Sequence, residues 1–110
     1  IPADKKFMQR LIAEIEDHMA DEEFSTETLS RTMGVSSRTL SRKLKALIDQ
    51  SPAHLIRSMR LQRAAELLEK QTGNIAEIAY EVGFSDQAHF TRTFKTEFKV
   101  SPSEYIKSKQ

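Results

Sequence analysis

Ile78-Ala79-Tyr80-Glu81-Val82-Gly83-Phe84-Ser85 decides the fold once it is laid beside Leu29-Ser30-Arg31-Thr32-Met33-Gly34-Val35-Ser36. At an offset of 49, Leu29, Met33, Gly34, Val35 and Ser36 match Ile78, Val82, Gly83, Phe84 and Ser85. One extra residue in the second turn moves the offset to 50. Leu40, Arg42, Leu44, Lys45, Ser51, Pro52, Ile56 and Ser58 then match Phe90, Arg92, Phe94, Lys95, Ser101, Pro102, Ile106 and Ser108. An ordered set that runs through apolar, turn and capping positions marks an internal repeat.

Each unit reads helix, glycine-containing turn, helix, with a small residue four positions before the glycine: Ser30 before Gly34, Ala79 before Gly83. Two helices that cross steeply through a short turn bring their backbones close, and only a small side chain fits there. The glycine takes a positive φ that a β-carbon disfavours. Val35 and Phe84 follow and plug the corner. The pattern is a helix-turn-helix, present twice.

The rest of the chain supports an all-α fold of seven helices. Phe7, Leu11, Ile15 and Met19 step by four, widened by Met8 and Ile12, and predict a helix over ~4–20. Ser25 and Ser36 are placed to cap helices over ~26–33 and ~37–48. Ser51-Pro52 is a start signal for a long helix over ~52–70 that buries Leu55, Ile56, Met59, Leu61, Ala64, Ala65, Leu67 and Leu68. Gly73-Asn74 ends that run and restarts a helix over ~75–82. Ser85 is read as the cap of ~86–98, where Phe90, Phe94 and Phe98 step by four. Ser101-Pro102 opens a last short helix with Tyr105 and Ile106. The expected organisation is one domain over 1–110: a first helix-turn-helix subdomain in 5–50, a linker helix in 51–70 and a second subdomain in 74–110.

Composition narrows the function. The 110 residues are 38% apolar and 30% charged, with 3 Gly, 3 Pro and no Cys. That excludes disordered, collagenous, disulfide-rich and thiolate-zinc classes, and it fits a reducing, cytoplasmic setting. No apolar run approaches the ~18–20 residues of a membrane span, so no membrane contact is expected of this domain. The chain opens Ile1-Pro2 rather than on Met, which reads as a piece of a longer protein with sensing and oligomerisation upstream. Net charge is only +1, but it is blocked: −5 over residues 1–30, +7 over 31–63, −4 over 64–86 and +3 over 87–110. Basic blocks of this kind attract polyanions locally.

These residues resemble the AraC family DNA-binding domain, in which two helix-turn-helix units are joined by one long helix. The stretch Ile78 to Phe84, followed by Phe90-Thr91-Arg92-Thr93-Phe94-Lys95 and Val100-Ser101-Pro102, is similar to that family's signature. Gly34-Val35-Ser36-Ser37-Arg38-Thr39-Leu40 with Arg42 and Leu44 resembles its first unit. The likeness runs from Phe7 to Lys107. The leading segment, with Asp21-Glu22-Glu23-Phe24, looks like the version at the end of bacterial hybrid two-component sensors. The family often has Gly after the second helix of each unit, where Asp49 and Lys99 stand here; a left-handed cap at either costs on the order of 1 kcal/mol.

The resemblance implies sequence-specific binding of double-stranded DNA in transcription regulation, without a cofactor. RNA polymerase and an upstream sensor or regulatory domain are the further implied partners. Base contacts fall on Arg38, Ser41 and Arg42 in one recognition helix and on Gln87, Ala88, His89 and Arg92 in the other. Phosphate contacts fall on Ser36, Ser37, Lys43, Lys45, Ser85, Thr91 and Lys95. The chemistry agrees: Arg38 and Arg42 suit guanine O6/N7, Gln87 suits adenine, and Ala88 offers a methyl group to thymine. Three alternatives stand beside this. Arg42 and Arg92 can pair with acids on neighbouring helices, His89 can be an ordinary surface histidine, and Ser51 and Ser101 can be plain caps.

Two other functions compete with this one. An enzyme has little to stand on: His18, His54 and His89 lie in different segments, Glu14 and His18 form a lone pair on an acidic surface, and no nucleophile elbow, phosphate loop or zincin motif occurs. A helical protein-interaction module without DNA binding is the alternative, distinguished by the absence of a salt-dependent affinity for duplex DNA. RNA fits poorly, because the deep groove of A-form RNA admits no recognition helix and the phenylalanines stand at core spacing.

Overall fold

The computed structural model describes residues 1–110, and every regular element in it is helical. The helices are α1 (Pro2–His18), α2 (Thr26–Met33), α3 (Ser37–Ile48), α4 (Pro52–Lys70), α5 (Ile75–Glu81), α6 (Gln87–Phe98) and α7 (Pro102–Ser108). The molecule measures 42 × 26 × 20 Å.

That elongation follows from two separate cores. Leu11, Ile15, Phe24, Leu29, Met33, Leu40, Leu44 and Ile56 form the first. Leu61, Ala64, Ala65, Leu67, Leu68, Ile78, Ala79, Val82, Phe84, Phe90 and Phe94 form the second. Helix α4 serves both, changing core between Ile56 and Leu61. Its apolar residues therefore spread around the helix instead of forming one stripe, as a helix covered on more than one side requires. The corner residues behave as their spacing demands. Ala79 and Ser30 are buried, and Ser30 satisfies its hydroxyl by donating to the Glu27 carbonyl at 2.8 Å. Gly34 and Gly83 have φ of +73° and +103°.

Capping sets most boundaries. The hydroxyls of Ser25, Ser36, Ser51 and Ser101 accept from the backbone N–H of Thr28, Thr39, His54 and Glu104. Four expectations need correction. Asp86, not Ser85, caps α6, because its carboxylate accepts from Ala88 N–H at 2.8 Å. The residue that ends α4 is Gln71, at φ +52°, two before Gly73, while Asn74 and Glu77 close a reciprocal capping box that opens α5. The first helix begins at Pro2, where the imide lacks an N–H and costs nothing in a first turn, and it ends at His18. Ile12 is exposed rather than part of the buried stripe. Asp49 and Lys99 do adopt left-handed caps, at φ +56° and +68°.

The α7 start carries a pH signature. Ser101 N–H donates to Glu104 Oε1 at 2.9 Å, and Ser101 Oγ accepts from Glu104 N–H at 3.1 Å. The first of these bonds, with the Ser101 hydroxyl nearby, holds the Glu104 pKa below its ordinary value, with the charges of Lys95 and Lys107 assisting. A carboxylate whose pKa is lowered by folding contributes stability above its unfolded pKa and loses it as pH falls through the folded one. Between pH 5 and 3, stability of Glu104→Gln should therefore fall less steeply than that of the parent, measured by urea titration at each pH. Parallel curves would disprove the assignment.

Candidate nucleic-acid interface

Helix α3 is anchored by Leu40 and Leu44, both fully buried. One helical turn apart on its exposed side stand Arg38 and Arg42, with Ser41 beside them and Lys45 one turn further on. Phe90 and Phe94 anchor α6 in the same way, leaving Gln87, Ala88, His89, Arg92 and Lys95 exposed.

The arginines divide by what they touch. Arg10 donates to the Thr32 carbonyl, Arg60 to three carbonyls of the loop after α1, and Arg63 to Glu66. Arg31, Arg38, Arg42, Arg57 and Arg92 donate to nothing in the protein, and the three ion pairs are His18–Glu14, Lys45–Asp49 and Arg63–Glu66. Arg42 and Arg92 thus do not pair with neighbouring acids. All five are exposed, and the five donors of a guanidinium suit phosphate or guanine.

The expected phosphate-contacting residues are less uniform. Lys43 lies with its Nζ 4.9 Å from the centre of the Phe7 ring, turned toward α1. Lys45 pairs with Asp49. Ser37 is half-buried and shares a hydrogen bond of 3.2 Å with Ser30, and Ser36 donates to the Thr39 hydroxyl. Thr91 is half-buried and Ser85 exposed. Lys95 is close enough to Glu104 to lower its pKa.

Two cavities show how α4 and α6 meet. One is lined by His54, Arg57, Ser58 and Leu61 of α4 and by His89, Arg92, Thr93, Thr96 and one acid, Glu97, of α6. The other joins Ala53, Arg57 and Arg60 to Phe84, Ser85 and His89. The His89 ring packs edge-on to Phe84 with centroids 5.5 Å apart. Gln87, at the other flank, sits beside Asn74, Ile75, Ala76 and Ile106. Arg57 and His54 are the residues that sequence reasoning left out. The signal was present: α4 carries Arg57, Arg60 and Arg63 with no acid before Glu66. Two of the three are satisfied within the protein, which singles out Arg57.

A family model described as a helix-turn-helix domain matches residues 29–108. The C-terminal domain of AraT, a response regulator from Geobacillus stearothermophilus, superposes with a TM-score of 0.86 at 32% identity, covering 93% of this chain and 84% of that one. The chain belongs to the AraC-type helix-turn-helix family. Two further likenesses bear on the use of this AraC-type domain. The DNA-binding domain of AdpA, a global transcriptional factor solved in complex with a target DNA, gives a TM-score of 0.84 at 25% identity over 91% of this chain and 89% of that one. Histidine kinase P4 of Formosa agariphila is 38% identical over 102 residues, which are 93% of this chain and 7% of the kinase. The AraC-type chain thus spans a small part of that relative's length.

Proposed function

We propose that this chain is the output domain of a larger bacterial regulator and binds double-stranded DNA sequence-specifically, with α3 and α6 in successive major grooves. The observation that carries the reading is the set of unpaired arginines. Arg38 and Arg42 on α3, Arg92 on α6 and Arg57 on α4 between them all lack internal partners, while every other arginine except Arg31 has one. The DNA complex of the AdpA domain supports the ligand, and the kinase relative supports an upstream sensor. In this reading Arg38, Ser41, Arg42, Gln87, Ala88, His89 and Arg92 face bases. Arg57 and His54 join Ser36, Ser37, Ser85, Thr91 and the lysines near the backbone, and RNA polymerase is the partner that the bound domain recruits.

Helix α4 sets the spacing. Its 19 residues span about 28 Å, short of the ~34 Å between major grooves on one face of DNA. Simultaneous engagement therefore bends the duplex, at ~1–6 kcal/mol for a smooth bend over such a site.

Selection of bound duplexes from a random pool tests the reading. The expected outcome is two short conserved boxes separated by about one helical turn, with affinity falling steeply as salt rises. A pool that stays random, or binding that ignores salt, would reject DNA recognition.

A further inference from the structure

Arg60 stands at the one place where α4 changes cores, between Met59, packed on the first, and Leu61, buried in the second. Its half-buried guanidinium turns in toward the loop after α1. Nε donates to the Met19 carbonyl at 2.9 Å, and Nη2 donates to the carbonyls of Asp21 at 2.9 Å and Phe24 at 3.5 Å. Met19 is the C-cap of α1, so the acceptors include an end-of-helix carbonyl left without an intrahelical donor. A cation there also complements the negative end of the α1 dipole. Burial lowers the Arg60 pKa, with Asp21 acting the other way, as expected of a guanidinium withdrawn from water.

The second unit meets the first at this point. A β-carbon on Gly83 would overlap the Met19 carbonyl oxygen and stand 2.7 Å from Arg60 Nε. The turn of the second helix-turn-helix therefore rests directly on the end of α1. Glu22 of the same loop lines one cavity with Ser85 and His89 at the start of α6. Three segments distant in sequence converge on one guanidinium: the loop after α1, the middle of α4 and the turn before α6.

We infer that Arg60 is a positioning residue that fixes the orientation of α6 relative to α3, by pinning the Gly83 turn and the α1 end to the point where α4 passes between cores. The inference rests on the reading that both recognition helices are used together. A single helix between two cores leaves bending and twisting to that helix alone. A second contact off its axis removes that freedom. Charge-assisted hydrogen bonds to backbone, such as the two at 2.9 Å here, are suited to the task, being directional and tied to the main chain.

The test needs no DNA, so its failure is separate from failure of the binding reading. The chain has no Cys, so Ala46→Cys on α3 and Glu97→Cys on α6 give two unique sites for spin labels. In the otherwise unaltered protein the inter-label distance distribution is expected to be single and narrow. In Arg60→Ala it should broaden or shift its centre by a few ångströms while the helical circular dichroism stays unchanged. Arg60→Gln keeps a shorter stem and one donor group, and it should do the same; it decides the matter if the alanine variant does not fold. A folded variant with an unaltered distribution would overturn the assignment. With duplexes from the selection, affinity for the two-box site should then fall by about 10–100-fold, because the two units no longer engage as one, while single-box affinity is retained. Equal losses on both duplexes would also overturn it.

Discussion

Gly83→Ala is expected to destabilise the domain by about 2–5 kcal/mol, while the equivalent change in the first unit, Gly34→Ala, costs roughly 0.5–1 kcal/mol. Both glycines hold a positive φ, so strain alone does not separate them. Gly34, at +73°, lies near the small left-handed basin open to other residues, and a β-carbon added there would meet nothing within 4 Å. Its strain of about 1–2 kcal/mol is partly offset, because alanine has less unfolded-state freedom to lose. Gly83, at +103°, lies outside that basin. Its β-carbon would collide with the Met19 carbonyl, which is backbone and cannot swing aside, and with Arg60, which is already held by that carbonyl. Forced displacement in a packed region adds about 1–3 kcal/mol. Urea denaturation of the two variants checks this, and equal midpoints would show that the Gly83 turn does not bear on α1. The total stability of such a domain is about 5–15 kcal/mol, so the second-unit variant loses a large share of it.

How much of this was legible in sequence depends on the range of the interaction. The repeat, the small residue before each glycine and the Ser-Pro starts are local, and each fell where steric and capping rules put it. Asp86 illustrates a local failure: Ser85 and Asp86 both have capping side chains, and the phase of the helix relative to Phe90 decides between them. Gln71 illustrates another, since a left-handed glutamine is not signalled by residue type. At the candidate interface, exposure of Arg38, Arg42 and Arg92 followed from the buried leucine and phenylalanine positions. What could not be read was which cations are already occupied. Lys43 over Phe7 and Arg60 on Met19 depend on how α1 packs, and nothing within a helical turn of either residue announces the partner. The contact between Gly83 and Met19 is likewise invisible to any pattern of a single segment.

That occupancy changes the expected division of labour on DNA. By residue count the first unit is the more basic, with Arg38, Arg42, Lys43 and Lys45 against Arg92 and Lys95. Lys43 lies over Phe7 and the charge of Lys45 is offset by Asp49 on an exposed face, so base recognition by α3 comes down to two free arginines one turn apart, with the lysines left to weaker backbone contacts. Each good bidentate contact to a base is worth ~1–3 kcal/mol, so Arg38→Ala with Arg42→Ala should weaken binding to a selected duplex by about 2–6 kcal/mol, on the order of 30-fold to 10⁴-fold. The double change should also flatten the dependence of log affinity on log salt, by up to roughly 0.9 for each phosphate that is no longer neutralised. Arg92→Ala removes one such group and should cost less on both scales. Arg42→Lys separates the two roles: charge and salt slope persist, while base preference relaxes, because an ammonium cannot make the paired hydrogen bonds of a guanidinium. Gel-shift titrations at several salt concentrations measure all of these. If the double variant keeps its affinity and its slope, α3 does not dominate the encounter, and the weight of binding shifts to the groove where Arg57 and His54 face Arg92.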